Sequence, residues 1–209
     1  MWARLLEVMR QSLEFFVNLT GSNGVAIILM TVAIRIILLP LTFSQTRSMQ
    51  KIQELQPELR SIQQKYKNDP QRANRETVEL WKKHKVNPMA GCLPLLLQFP
   101  ILIALYQVLR VFQYPGSPRF LWITDLAVPD KVVLPVMAAI TTYWQTKITT
   151  TGNDPSQKSM LIFMPLLVGW FAMSFPAGLS LYWVVSNLFG IAQQYAMPKG
   201  LLRKGEASS

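Results

Sequence analysis

The sequence predicts an all-α membrane protein: five transmembrane helices around a hydrophilic groove, a cytoplasmic antiparallel helical hairpin and an N-terminal interfacial amphipathic helix. Three observations carry this. Half of the 209 residues are apolar, and they gather in five runs, 24–41, 93–109, 132–147, 160–175 and 178–196. Each run is about 16–19 residues long, near the lower limit for a spanning helix. The basic residues are distributed unevenly between the segments that join those runs. Finally, the first run contains an arginine, Arg35, while none of the five contains an Asp or Glu. A soluble helical core would interleave charge along each helix, and these runs do not.

In chain order, residues 2–19 form an amphipathic pattern. Arg4, Glu7, Arg10, Gln11 and Glu14 fall on one face, and Leu5, Leu6, Met9, Leu13, Phe16 and Val17 largely on the other. That suits a helix lying on the outer leaflet with Trp2 at headgroup level, within an outer-face unit of residues 1–23; a plain linker helix fits the same pattern. Residues 20–24, rich in Gly, Ser and Asn, break it. The first span, 24–41, reaches roughly 27 Å as a helix, close to one hydrocarbon core.

Residues 42–92 read as the hairpin. Met49, Ile52, Leu55, Leu59, Ile62 and Tyr66 recur every three or four positions, a narrow seam that predicts a helix over 43–66 bent at Pro57. Asp69 can cap, and Pro70 can begin, a second polar helix over 71–85, with Val78 and Trp81 facing the seam. Residues 93–197 hold the remaining four spans, with an outer loop at 110–131 whose Phe120 and Trp122 suit an interfacial belt. Pro94 and Pro100 predict that the second span is not straight. The fourth and fifth spans form a tight hairpin around 175–178, and residues 198–209 are a short cytoplasmic tail.

The net charge of +10 is a topology signal rather than a nucleic-acid one, and no DNA partner is expected. Apart from Arg35, fifteen Lys/Arg lie in 42–86, 147–159 and the tail. Five (Arg4, Arg10, Arg110, Arg119 and Lys131) lie on the opposite side, beside four acids. The positive-inside rule then puts the N-terminus outside and the C-terminus in the cytoplasm of a bacterial inner or plasma membrane. A single thiol, Cys92, and a single histidine, His84, do not furnish a metal site, and no cofactor is expected. The first eighteen residues are too polar for a signal-peptide core.

Arg35 is the residue that demands an explanation. An arginine at mid-membrane costs about 2.5–3.5 kcal/mol on insertion scales, and no intramembrane carboxylate is available to offset it. The polar residues on the spans are neutral hydrogen-bonders: Thr31, Gln98, Thr141, Thr142, Gln145, Ser186 and Asn187. Thr31 sits one turn from Arg35 on the same face. Such groups can line a wet concavity, which would keep the guanidinium hydrated. Snorkelling to the headgroups, about 9 Å away along the helix, is the competing account. Each neutral residue taken singly also fits interhelical packing. No nucleophile–base or metal constellation is present, so no catalytic residue is assigned and an enzyme is not expected.

Several stretches together resemble the YidC-type membrane protein insertases. They are Ile34-Arg35 through Leu41, Leu55-Gln56-Pro57, residues 86–100 (Val-Asn-Pro-Met-Ala-Gly-Cys-Leu-Pro-Leu-Leu-Leu-Gln-Phe-Pro), 175–183 (Phe-Pro-Ala-Gly-Leu-Ser-Leu-Tyr-Trp), Ser186-Asn187 and Gln193-Gln194. The resemblance covers nearly the whole chain in order. It implies a five-span core whose groove opens to cytoplasm and lipid but not to the outside, with Arg35 as its arginine. It also implies client contacts at Thr31, Gln145 and Trp183; Gln98, Thr141, Ser186 and Asn187 are groove-lining candidates. The implied partners are nascent membrane proteins, the ribosome, the Sec translocon and the bilayer, with Sec-independent insertion also implied. Some members of this type carry an extra N-terminal span and a large periplasmic domain, and others begin with a lipoprotein signal; neither pattern occurs in this sequence. The short basic tail weighs against tail-mediated ribosome binding. Two other classes remain open on the residues: a small-anion transporter that binds at Arg35, and a scaffold acting through the hairpin.

Overall fold

The computed structural model describes residues 1–86, 93–149 and 155–196. The return to the bilayer at 87–92 with Cys92, residues 150–154 of the link, the tail beyond 196, and the side chains of residues 49, 93–95 and 155–158, Pro94 and Lys158 among them, lie outside the described residues. The regular elements among the described residues are α-helices: α1 Trp2–Thr20, α2 Asn23–Glu54, α3 Gln56–Lys65, α4 Pro70–Lys83, α5 Leu93–Val111, α6 Val133–Thr149, α7 Pro155–Ala172 and α8 Ala177–Ala196.

Around α1 the residues sort into three sectors rather than two. Met9, Leu13 and Val17 are buried against α2 and α5. Leu5, Val8, Phe15 and Leu19 stay exposed beside them. On the third sector Arg10 pairs with Glu7 at 2.7 Å and Glu14 at 2.5 Å. The helix stops at Gly21, whose N–H returns to Val17 O.

The polarity change near residue 42 does not interrupt the backbone. α2 runs unbroken to Glu54 with Pro40 inside it, and Thr42 Oγ1 sits 3.1 Å from both Leu38 O and Leu39 O in the turn around that proline. Hydrophobicity and the helical hydrogen-bond ladder are separate properties, so losing one does not end the other. Pro57 likewise does not bend a longer helix. It lies in the first turn of a new one, α3, where its missing N–H has no intrahelical role. α4 begins as its sequence indicates, with Asp69 accepting from Arg72 N at 3.0 Å and Pro70 first in the helix. α3 and α4 pack together through Leu59 and Leu80, while Val78 faces solvent. The fourth apolar run is framed by α7, which starts earlier than the hydropathy suggests and ends at Ala172.

α6 packs along α7 and α8, α8 along α2, and α5 touches α2 and α8 at fewer points. Leu13, Ile27, Met30, Leu105, Leu109, Leu126, Leu134 and Tyr182 are fully buried at the centre. Outside them large apolar side chains stay exposed: Ile36 and Ile37 on α2, Val136 and Ile140 on α6, and Ile162, Phe163, Leu166 and Trp170 on α7. An apolar area of this extent is what lipid, not water, would cover. Among the described residues α2 is the one helix both long and apolar enough to cross a bilayer, and α5 to α8 are about 26–30 Å long each.

The loop between α5 and α6 folds over one end of the bundle. Asn23 Nδ2 donates to Pro115 O (3.0 Å) and Ser117 O (2.9 Å). At the start of α8, Ala177 N donates to Val128 O and Gly178 N to Leu126 O, so orphan amides of that helix are satisfied by the loop. Asp130 closes the loop by capping α6, accepting from Val132 N (2.9 Å), Val133 N (3.1 Å), Leu134 N (3.3 Å) and Trp122 Nε1 (3.2 Å). Partial burial pushes its carboxyl up, but these four donors outweigh that and hold it below the ordinary carboxylate range. The folded value is therefore the lower one, and the stabilisation is present above the unfolded value and lost as pH falls through the folded one. Asp130→Asn is expected to flatten the acid limb of the thermal midpoint measured in detergent from neutral to acidic pH. Coincident limbs for wild type and variant would refute this role.

Candidate functional site

α2 and α8 lie side by side in the same direction. Ile27 packs on Gly178, and Thr42 and Gln193 share hydrogen bonds at 3.1 and 3.4 Å, both pairs 151 positions apart. That constant offset places Arg35 level with Ser186. Arg35 is half-buried, and among the described residues it has neither a hydrogen bond nor a carboxylate partner. The Tyr182 phenol, buried and accepting from Gln98 Nε2 at 2.8 Å, lies within electrostatic reach of the guanidinium. Thr31 is fully buried and donates to Ile27 O at 2.6 Å, back-bonding within its own helix. Among the described residues Ser186 Oγ is buried without a partner, as are both amide atoms of Gln45 further along α2.

A second polar group joins α6 to α8. Trp183 Nε1 donates to Thr142 Oγ1 at 3.0 Å, and the Asn187 side chain lies 2.9 Å from Thr142 Oγ1 and 3.2 Å from Thr141 Oγ1. Gln145 completes the group, 2.9 Å from Asn187. Thr141, Thr142 and Asn187 are each more than nine-tenths buried; Gln145 and Trp183 are half-exposed. The structure thus brings together Thr141, Gln145, Trp183 and Asn187, pairs Gln98 with Tyr182, and leaves Arg35 and Thr31 on a separate helix. Two contributors carry no individual signal in the sequence: Tyr182 is one more aromatic in an apolar run, and Gly190 lies three residues beyond Asn187 against Gln145.

A family model described as the 60Kd inner membrane protein matches residues 15–204. The chain belongs to that family, the family of the YidC insertases. Its similarity to proteins named membrane protein insertase YidC is 42% identity over 202 residues for that of Geobacter sulfurreducens, covering 96% of this chain and 38% of the relative. For that of Wolinella succinogenes it is 44% over 200 residues, covering 94% and 37%. For that of Fusobacterium nucleatum it is 43% over 200 residues, covering 93% of this chain and 97% of the relative. The chain therefore spans little more than a third of the first two relatives and nearly all of the third. A crystal structure of an active YidC insertase with its first transmembrane domain resolved superposes with a TM-score of 0.77 at 29% identity, over 95% of this chain and 47% of that one. This member of the 60Kd inner membrane protein family shares its helical fold with the matched 47% of that structure, and the two polar groups described above lie within the helices that the family model covers.

Proposed function

We propose that the chain is a membrane protein insertase that assists newly made proteins into the inner membrane of a bacterium. The observation that carries this is its 43% identity to almost the full length of the Fusobacterium nucleatum insertase. In this reading α2, α5, α6, α7 and α8 are the five spans, and α1 lies on the outer leaflet with Leu5, Val8, Phe15 and Leu19 in lipid. The hairpin α3–α4 stands in the cytoplasm with an excess of Lys and Arg, where ribosome and Sec translocon would meet it.

The mechanism follows from Arg35. A guanidinium with no internal anion is stabilised by water, so it borders a hydrated groove that opens where α5 makes the fewest contacts. An acidic or polar tail of a client is drawn into that groove, while the adjoining apolar segment slides along the lipid side. Trp183 contributes its ring face, because its N–H is already engaged by Thr142. Release follows as the client helix buries apolar surface in lipid. No bond is made or broken.

Site-specific crosslinking to a ribosome-bound nascent membrane protein tests this, from a photoreactive residue at position 39, one turn from Arg35 on the same face, with the guanidinium kept. Adducts are expected while the client's tail and first span are emerging, and fewer once insertion is complete. Efficient insertion with no adduct at any chain length would exclude the surroundings of Arg35 as a client contact.

A further inference from the structure

Resting on the reading of Gln145 as a client contact, the inference concerns what fixes the direction of its amide. One polar atom of the Asn187 side chain lies 3.2 Å from Trp183 Nε1 and 3.3 Å from the backbone N of Thr142. Both neighbours carry hydrogens and neither can accept, so that atom is the oxygen. Asn187 Nδ2 then points the other way, 2.9 Å from Gln145 Oε1, and donates to it. The acceptor end of Gln145 is thereby engaged, which leaves its Nε2 with two N–H groups and no protein acceptor among the described residues. That nitrogen lies over Gly190, where a Cβ would come within 2.6 Å of Nε2 and 3.2 Å of Cδ.

We propose that Gly190 and Asn187 are positioning residues that hold Gln145 as a donor-only contact, so that it recognises acceptors on a client: carboxylates and backbone carbonyls not yet paired in a helix. Its polarity then matches that of Arg35, and the two select the same kind of tail from different helices. Gly190 does this by what it lacks. A methyl group there meets the far end of a flexible side chain rather than backbone, so Gly190→Ala displaces the Gln145 amide without forcing α6 and α8 apart.

The test uses the full chain in liposomes, with protease protection of a single-span client as readout. One client carries two aspartates in its N-terminal tail and a matched one carries two lysines. Gly190→Ala and Gln145→Ala are each expected to lower insertion of the acidic-tailed client about three- to tenfold. The lysine-tailed client should change by less than about twofold, as a contact that discriminates by charge-assisted hydrogen bonding requires. The double variant should be no worse than either single one, because without the Gln145 amide the methyl meets nothing. Equal losses for both clients, or losses that multiply in the double variant, would show a packing role and overturn the proposal. A loss with Gln145→Ala but none with Gly190→Ala overturns the positioning role alone. No loss with Gln145→Ala overturns the client contact itself, and the inference with it.

Discussion

Replacing Arg35 with alanine is expected to cut insertion of an acidic-tailed client about tenfold to a hundredfold while leaving the fold no less stable. Both halves come from the same fact, that no carboxylate among the described residues lies beside the guanidinium. A charge pair at about 4 Å contributes about 1 kcal/mol in water and about 4 kcal/mol at an effective dielectric of 20, and a half-buried group at the edge of a wet groove lies between those limits. Loss of that attraction is loss of recruitment. In stability the sign reverses: an unpaired charge in an apolar run opposes folding, so removing it should leave the thermal midpoint in detergent unchanged or raised. Arg35→Lys keeps the charge and should retain most insertion. Neutralising the client's own acids should bring wild type and Arg35→Ala together. Two outcomes contradict this account: equal insertion by Arg35→Ala and wild type with an acidic client, or a defect that persists for a client with no acids.

Arg35 was legible from sequence because the signal is local: one charge in an apolar run, with none to match it anywhere on the other four. The same is true of α1, whose periodicity repeats over five turns, and of the Asp69-Pro70 start of α4. Boundaries governed by something other than hydropathy were not legible. α2 passes through Pro40 and beyond the apolar run, because a helix already anchored against α1 and α8 propagates one hydrogen bond at a time regardless of side-chain polarity. Pro57 reads equally as a bend or as a first turn until the break at Leu55 decides it. In the hairpin the sequence sets Val78 and Trp81 against the seam, whereas the register of α4 on α3 leaves Val78 exposed, half-buries Trp81 and buries Leu80.

The α6–α8 polar group shows a different limit. Thr141, Thr142, Gln145 and Asn187 can be picked out singly as polar residues on apolar helices, yet none says which of the others it meets. That depends on the rotation of two helices joined through a separate third, and it decides whether an amide faces a groove or another side chain. Asn187 is read from sequence as a lining residue. In the fold it is buried and hydrogen-bonded, and it sets the direction of Gln145 rather than offering itself to solvent. Gly190 is invisible for the same reason, since a glycine in a helix is meaningful only once the side chain lying over it is known.

Gly24→Val is expected to lower the thermal midpoint by about 5 °C or more. A Cβ at position 24 would overlap the Phe120 ring at Cγ, Cδ2 and Cδ1, far inside van der Waals contact. The Phe120 backbone is held in place, its N–H and carbonyl both bonded to Ile123 and its loop tied to Asn23, so a shift of the main chain breaks those bonds. The ring must leave its seat, and the loop that satisfies the first amides of α8 moves with it. Gly24→Ala should already show most of the effect, since the clash is with Cβ itself. The decisive comparison is the same substitution in a Phe120→Ala background. With the ring gone, alanine at a helical position is neutral or slightly better than glycine, so the effect of Gly24→Ala should vanish or change sign. If instead it destabilises by the same amount with and without the ring, the cause lies in the backbone of α2, and Phe120 is not what holds the loop to the end of the bundle.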